Sequence, residues 1–310
     1  MSELSFPGSQ ATPPRQLDAL ERAPKQRSYW SDAWVSLLCD RVALAGGILV
    51  VLMFFLAVGA DWFAPYDPLK QFPEGLTARG APIEPNAQFL LGTDNLGRDL
   101  LSRLIWGGRI SLTVSILANL VSLAVAIVVG GAAGFLRGAV DTFVMRTVDI
   151  ALSFPTLILQ IALATVLPPS IGTVIVVISI FAWAYPARVF RGQILSIRER
   201  SFVESARSIG ASELRIFVRH ILPQLLPTIV VYFTIRVPSA ILTEASLSFL
   251  GLGVPPPTPS WGNMILSGYQ LYRQAPWVVL FPGFAIMIAV LGFNLLGDGL
   301  RDALDPRERR

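Results

Sequence analysis

The sequence contains very few of the residues from which catalytic and metal sites are usually built. It has one cysteine, Cys39, and one histidine, His220. One cysteine excludes a disulfide framework within the chain, and the two residues are too few for a Cys/His metal site or a histidine-based catalytic triad. We therefore expect no catalytic residues and no metal site in this chain.

Charged residues are also scarce. They make up 15% of the 310 residues, against about 25% in soluble domains, whereas hydrophobic residues make up 53%. This composition predicts a membrane protein. In such a protein the net charge of +4 is expected to reflect cytoplasmic loops. We therefore expect membrane lipid, and no nucleic acid, as a partner.

Two further features are missing from the sequence. The pattern G-x-x-x-x-G-K-S/T does not occur, so the chain is not expected to bind ATP, and any energy must come from a partner or an ion gradient. Residues 1–29 are polar and lack the apolar segment of a cleavable signal peptide. We predict that they form a mostly disordered tail.

Long uncharged runs predict six transmembrane helices in an all-α membrane fold, because about 20 apolar residues cross a bilayer. The uncharged run at residues 150–187 is long enough for two spans, and Pro168-Pro169-Ser170 supplies the break. Residues 1–41 would be a tail with an interfacial helix around Trp30 and Trp34, and residues 299–310 a second tail. The predicted spans of this transmembrane domain, residues 42–298, are 42–60, 110–136, 150–167, 171–187, 224–245 and 277–297.

Lysine and arginine are distributed unequally between the two sides of this arrangement. One side of the membrane holds both termini together with residues 137–149 and 188–223. This side carries 18 of these residues, whereas the opposite side carries six. Because loops rich in Lys and Arg stay in the cytoplasm, both termini and residues 188–223 are predicted to be cytoplasmic.

The charged loop at residues 188–223 carries helix signals. Ser201 and Glu204 have the spacing of a capping box, and Gly210 suits the left-handed position that ends a helix. Ser212 would cap a second, amphipathic helix that lies on the membrane surface and ends at Pro223. With Phe202, Val203 and Ile209 exposed, this rigid projection would fit a socket in a partner protein. The alternative is an ordinary solvated loop.

Two other charged regions stand out. Residues 93–106 are predicted to form an amphipathic helix on the outer surface of the membrane, opposite the cytoplasm, with Asp99 and Arg103 paired at i,i+4. Arg236 and Glu244 lie within or near the fifth span, where charge is costly and marks a functional site by default. They would either form a structural pair or line a translocation path.

Glycines in the second span leave an alternative open. Gly130 and Gly134 have small-xxx-small spacing. This spacing favours close helix packing, but glycine is also common in membrane helices in general.

Four segments together resemble one protein family. Glu204-Ser205-Ala206, Gly210 and Leu222-Pro223 match the E-A-A loop of ABC importer permeases, with Ser205 and His220 as departures. Further matches, in the family's order, lie at residues 91–103, 244–253 and 294–306. The chain resembles the C-type permease of the dipeptide/oligopeptide/nickel family.

This resemblance implies a six-helix type I importer fold and a set of partners. These are a homologous permease forming a heterodimer, two cytoplasmic ATPase subunits that use ATP and Mg, and a periplasmic or lipid-anchored substrate-binding protein, all at the bacterial inner membrane. It implies that a coupling helix contacts the ATPase through Phe202, Val203, Glu204, Ser205, Ala206, Arg207, Ile209 and Gly210. It also implies that the binding protein docks near a periplasmic motif of Gly92, Thr93, Asp94, Gly97, Arg98, Asp99 and Arg103.

Several substrates fit this resemblance. Dipeptides or oligopeptides come first, and nickel complexes, glutathione and peptide antibiotics are alternatives in the same family. An ion-coupled secondary transporter is a more remote hypothesis. The sequence shows no inverted repeat, and Arg236 is the only charged residue deep within a predicted span.

Overall fold

The structure is a computed structural model that describes residues 29–304. The predicted tail at residues 1–28, the side chain of Trp30 and residues 305–310 lie outside the described residues. Within 29–304 the chain is helical, and strand-like pairing is limited to isolated bridges. The first described helix, at residues 29–39, confirms the helix predicted before the first span.

Short connections join the helices, and capping side chains fix several of their starts. Asp40 and Ser170, for example, accept hydrogen bonds from the free backbone N–H groups of the helices that follow them. In chain order the helices are α1 (Tyr29–Cys39), α2 (Arg41–Val58), α3 (Ala60–Phe63), α4 (Leu100–Leu136), α5 (Gly138–Ser153), α6 (Thr156–Val166), α7 (Ile171–Ala182), α8 (Ala184–Arg198), α9 (Ser201–Ser208), α10 (Glu213–Ile216), α11 (Leu222–Phe249), α12 (Trp261–Gly268) and α13 (Trp277–Leu304).

Four helical segments in residues 29–304 are long and apolar enough to cross a membrane: α2, α4, residues 213–249 and α13. Two bent pairs also pass this test together, α5 with α6 at 87° and α7 with α8 at 46°. The described chain therefore has six spans if each bent pair crosses once, which is the number that the sequence predicted.

The third span departs from its predicted bounds. Residues 138–153 form α5, whereas the sequence predicted a loop up to residue 149 and a span from residue 150. The helix breaks at Phe154, which has an extended backbone because the ring of Pro155 disfavours a helical residue before it. The predicted break before Ser170 is confirmed, since Ser170 caps α7.

The charged loop is also more helical than predicted. α8 continues to Arg198, and the predicted surface helix after Ser212 is instead the beginning of the fifth span. A π-helical turn at Phe217–Ile221 joins α10 to α11, and Pro223 is the second residue of α11. Because proline lacks an N–H, a first turn is the part of a helix that accommodates it.

α4 packs most closely against α8, and its glycines explain why. A Cβ atom on Gly130 would lie 2.4 Å from the carbonyl oxygen of Ala187, and one on Gly134 would lie 3.0 Å from that of Arg191. The structure thus favours close packing as the role of this glycine pair. An ion pair between Arg191 and Asp141 then holds α5 against α8, with Nη2 and Oδ2 2.6 Å apart.

Replacement of Gly130 by Ala should destabilise the fold, because the new methyl group would meet backbone and not a movable side chain. Overpacking of this kind costs about 1–3 kcal/mol. Gly192 on α8 is the matched control, since nothing lies within 4 Å of its Cβ position. Gly192→Ala should leave the midpoint of thermal unfolding in detergent unchanged or raise it, whereas Gly130→Ala should lower it. Equal midpoints would contradict the close contact.

Candidate functional site

The segment at residues 201–210, here called the α9 segment, is anchored by its inner face. Val203 and Ala206 are buried in an apolar cluster with residues from α4, α8, α10 and α11. The prediction that Val203 would be exposed was wrong, because this side of the helix faces the bundle. The α9 segment is therefore packed against the spans rather than suspended on a flexible loop. The other buried members of the cluster are Phe135, Ile194, Ile197, Ile216, Ile221 and Leu225.

The two ends of α9 are formed differently. The predicted capping box is absent, because Arg200 occupies the N-cap position and no side chain caps the helix there. At the other end Gly210 has a φ of +81°, as predicted. The N–H groups of Gly210 and Ala211 donate to the carbonyls of Arg207 and Ala206, which is the Schellman arrangement. Gly210 is thus required for its backbone conformation.

The outer face of the α9 segment is exposed in this chain. Glu204, Ser205 and Arg207 are exposed, and Ile209 exposes 85% of its surface. Arg207 also forms an exposed ion pair with Glu213, which links the segment to α10. Phe202 is half-buried, so Ile209 is the one fully exposed apolar side chain among the three that the sequence placed outside. An exposed apolar point within a charged rim is typical of a protein contact.

The motif at residues 92–103 forms a buried hub. Asp94 accepts hydrogen bonds from the backbone N–H groups of Leu96 and Arg98, and its Oδ2 lies 2.7 Å from Arg98 Nε and 3.1 Å from Arg103 Nε. Thr93, which is fully buried, accepts from Ile83 and donates to the carbonyl of Gly75. This network holds the long connection between α3 and α4 in place. Gly92 and Gly97 supply its left-handed turns.

Two expectations for this motif were wrong. The predicted helix over residues 93–106 begins only at Leu100, because Asp99 caps α4 by accepting from the Ser102 N–H. The pair that forms is Asp94 with Arg103, not Asp99 with Arg103. The charged face is therefore buried under the loop instead of facing solvent.

Glu244 is fully buried and joins three helices. Its carboxylate accepts hydrogen bonds from Ser248 on its own helix, at 2.7 Å, and from Ser111 on α4, at 2.9 Å. Ser111 in turn accepts from the N–H of Trp261 at the start of α12. The pair with Arg236, one of the two alternatives, does not form, and full burial argues against the other, a role for Glu244 in lining an open path. Buried carboxylates need such partners, since an unpaired one is strongly destabilising.

Arg236 lies between two cavities. The larger, of about 670 Å³, is lined by α8, α11 and α13, and the smaller, of about 300 Å³, by α4, α5, α6, α7, α8 and α11. Arg236 Nη2 donates to the carbonyl oxygen of Ala182, 3.0 Å away, and its buried Nε has no acceptor among the described residues. Arg236 is therefore the residue of the predicted pair that faces open space.

Sequence reasoning missed the polar residues around Arg236. Gln160, Tyr185 and Ser239 line one or both cavities. Gln160 could have been found, because it is the single amide in the uncharged run of residues 150–187. Its proximity to Arg236 could not have been found, because only the tertiary structure places both residues in the lining of the smaller cavity.

Comparison with known families matches most of the chain. Residues 126–310 match the model of the family described as binding-protein-dependent transport system inner membrane component, and residues 28–86 match the N-terminal transmembrane domain of oligopeptide transport permease C. The chain belongs to the ABC importer permeases of the dipeptide/oligopeptide family. This membership confirms the resemblance that the sequence motifs indicated.

Curated relatives of this permease support the same family. The glutathione transport system permease protein GsiD of Escherichia coli O6:K15:H31 (strain 536) is 41% identical over 288 residues, covering 93% of this chain and 94% of the relative. The protein of the same name from Pectobacterium atrosepticum is 41% identical over 281 residues, covering 91% and 92%.

A solved structure gives the fold. An inward-facing structure of the MetNI methionine ABC transporter aligns with a TM-score of 0.55 at 21% identity, covering 66% of this permease and 98% of that chain. The type I importer permease fold predicted from the motifs is thereby confirmed.

Replacing Asp94 with Asn should destabilise this permease strongly, because two buried arginines would lose their counter-charge. Breaking a buried pair on one side costs about 3–5 kcal/mol. Asp61 is the control, since its pair with Arg109 is exposed and such pairs contribute about 0–1 kcal/mol. Thermal unfolding in detergent should show a large loss for Asp94→Asn and little change for Asp61→Asn. Similar small losses would show that the hub is not stabilising.

Proposed function

We propose that this permease forms half of the translocation path of an importer for dipeptides or oligopeptides. Its partners would be a homologous permease, two cytoplasmic ATPase subunits that bind ATP and Mg, and a periplasmic or lipid-anchored binding protein. In this proposal the chain itself binds no cofactor. The match to the oligopeptide permease C domain supports the peptide class.

The α9 segment is the observation that carries this proposal. Its inner face is buried among α4, α8 and α11, so a displacement of the segment would move the spans with it. Its outer face presents Ile209 and the charged side chains around it. We assign the contact with an ATPase subunit to this face. With no capping role left for Glu204, its exposed carboxylate belongs to the contact surface.

The orientation of the spans follows from charge. The end of the molecule that carries α9 also carries the ion-paired arginines of α8. The segments assigned to this side of the membrane hold the excess of Lys and Arg. We propose that this end, together with both termini, is cytoplasmic. The buried hub at residues 92–103 would then lie beneath the periplasmic surface and hold its loops in place. The docking of a binding protein would involve these loops.

Glutathione is the second candidate substrate. It is favoured by relatives that carry its name and are 41% identical over more than nine-tenths of the chain. Proteoliposomes with the assembled transporter and its binding protein should take up labelled dialanine or trialanine if the peptide assignment is correct. Uptake of glutathione alone would replace it with the narrower function.

Gly210→Val should uncouple transport from ATP hydrolysis. Valine is strained at a φ of +81°, at a cost of about 1–2 kcal/mol, so the end of α9 would rearrange. Nothing lies within 4 Å of a Cβ at this position, so the effect would come from backbone conformation and not from a clash. The measurement is substrate uptake per ATP hydrolysed in proteoliposomes.

Gly210→Asn is the matched control, because asparagine tolerates the left-handed conformation. It should retain most of the wild-type coupling ratio, while Gly210→Val should lose most of it with all subunits still present. Wild-type coupling in Gly210→Val would refute the role assigned to the α9 segment.

A further inference from the structure

The two cavities beside Arg236 lie next to each other along α11 and share part of their lining. Both are lined by Tyr185, Arg236 and Ser239, so the guanidinium stands at the boundary between them. Their volumes, about 670 and 300 Å³, fall in the range of small-molecule sites, about 300–1,000 Å³. A ligand that moves from one cavity to the other would pass this side chain.

The charge of Arg236 is not balanced within the described chain. No described residue that lines either cavity is acidic, and the larger cavity contains a second cation, Arg301. The hydrogen-bond partner of Arg236 is a neutral carbonyl, and its Nε has none among the described residues. A cation within a membrane span is costly unless an anion or water compensates it. The compensation must therefore come from water or from an anion of another molecule.

A second polar group lines the smaller cavity. Gln160 exposes 3% of its surface and belongs to the lining of this cavity. A few polar side chains in the wall of a cavity are what orients a bound ligand. An amide both donates and accepts, which suits a peptide bond or a carboxylate.

We propose that Arg236 and Gln160 form a site for the carboxylate-bearing end of a peptide on its way through the permease. Arg236 binds the carboxylate, for which its guanidinium has free donors, and Gln160 binds the adjoining amide or the second carboxylate oxygen. The proposal rests on the proposed function, because it requires that a peptide enters these cavities. It makes this chain a contributor to substrate selection in addition to the binding protein.

A carboxylate could reach Arg236 from two sources, the substrate or an acidic side chain of the partner permease. A substrate carboxylate makes the effect of Arg236 depend on the peptide that is transported. A carboxylate of the partner permease would matter equally for every peptide and for assembly of the two permeases. The two sources are therefore separated by changing the peptide and Arg236 together.

The experiment compares uptake of trialanine with that of its C-terminal amide, in proteoliposomes containing the complete transporter and its binding protein. The wild type and Arg236→Gln are each measured with both peptides. Because selection by the binding protein is the same for both permease variants, it cancels in the ratio of wild-type to variant uptake. Loss of a charged hydrogen bond should make this ratio about tenfold larger for trialanine than for the amide.

Two further variants keep the result interpretable. Gln160→Leu should shift the ratio in the same direction, and it serves as the test if Arg236→Gln fails to assemble. Arg301→Gln removes a cation from the larger cavity alone and should affect both peptides equally.

Equal ratios for trialanine and the amide in both site variants would overturn the site and assign Arg236 to a structural pair with the partner permease. If the wild type transports neither peptide, the proposed peptide function falls, and the site falls with it. Normal wild-type uptake with equal ratios overturns the site alone.

Discussion

The close contact of α4 with α8 is the interaction on which the rest of this permease depends. Gly130 and Gly134 bring the two backbones together, and a side chain at either position would separate them. α4 is 37 residues long, so it connects features at opposite ends of the molecule. Asp99 in the hub begins it, Ser111 binds Glu244, Asn119 lines a cavity and Phe135 packs near α9.

Burial separates the charges with complete internal contacts from those for which we propose a function. The carboxylates of Asp94 and Glu244 are fully enclosed, and each is satisfied by arginines, hydroxyls or backbone N–H groups. These residues belong to the most recognisable family motifs, yet their contacts are internal. Arg236 and the outer face of α9 lie outside such networks and retain unused hydrogen-bonding or apolar surface. We therefore propose that transport and coupling depend on groups whose contacts the single chain leaves incomplete.

The sequence predicted the number of spans and the place of the α9 segment with fair accuracy, because both depend on local signals. Runs without charge mark spans, and glycine at a left-handed turn marks a helix end, as Gly210 does. The helix boundaries predicted from the sequence were wrong where tertiary contacts extended a helix. α8 continues to Arg198 because Ile194 and Ile197 are buried against the α9 segment, and the first turns of the fifth span extend outward because Ile216 and Ile221 are buried there as well.

By itself, the sequence determined the class of this protein, its order of spans and its family, since composition and motif spacing are properties of the chain alone. The tertiary structure decided which charges face each other. Asp99 and Arg103 have ideal spacing for a helical pair, but α4 begins too late for Asp99 to lie within it, so Arg103 pairs with Asp94. Arg236 and Glu244 share a helix, but neighbouring helices surround one with hydroxyls and leave the other beside open cavities. Such partners come from distant parts of the chain, and packing alone brings them together.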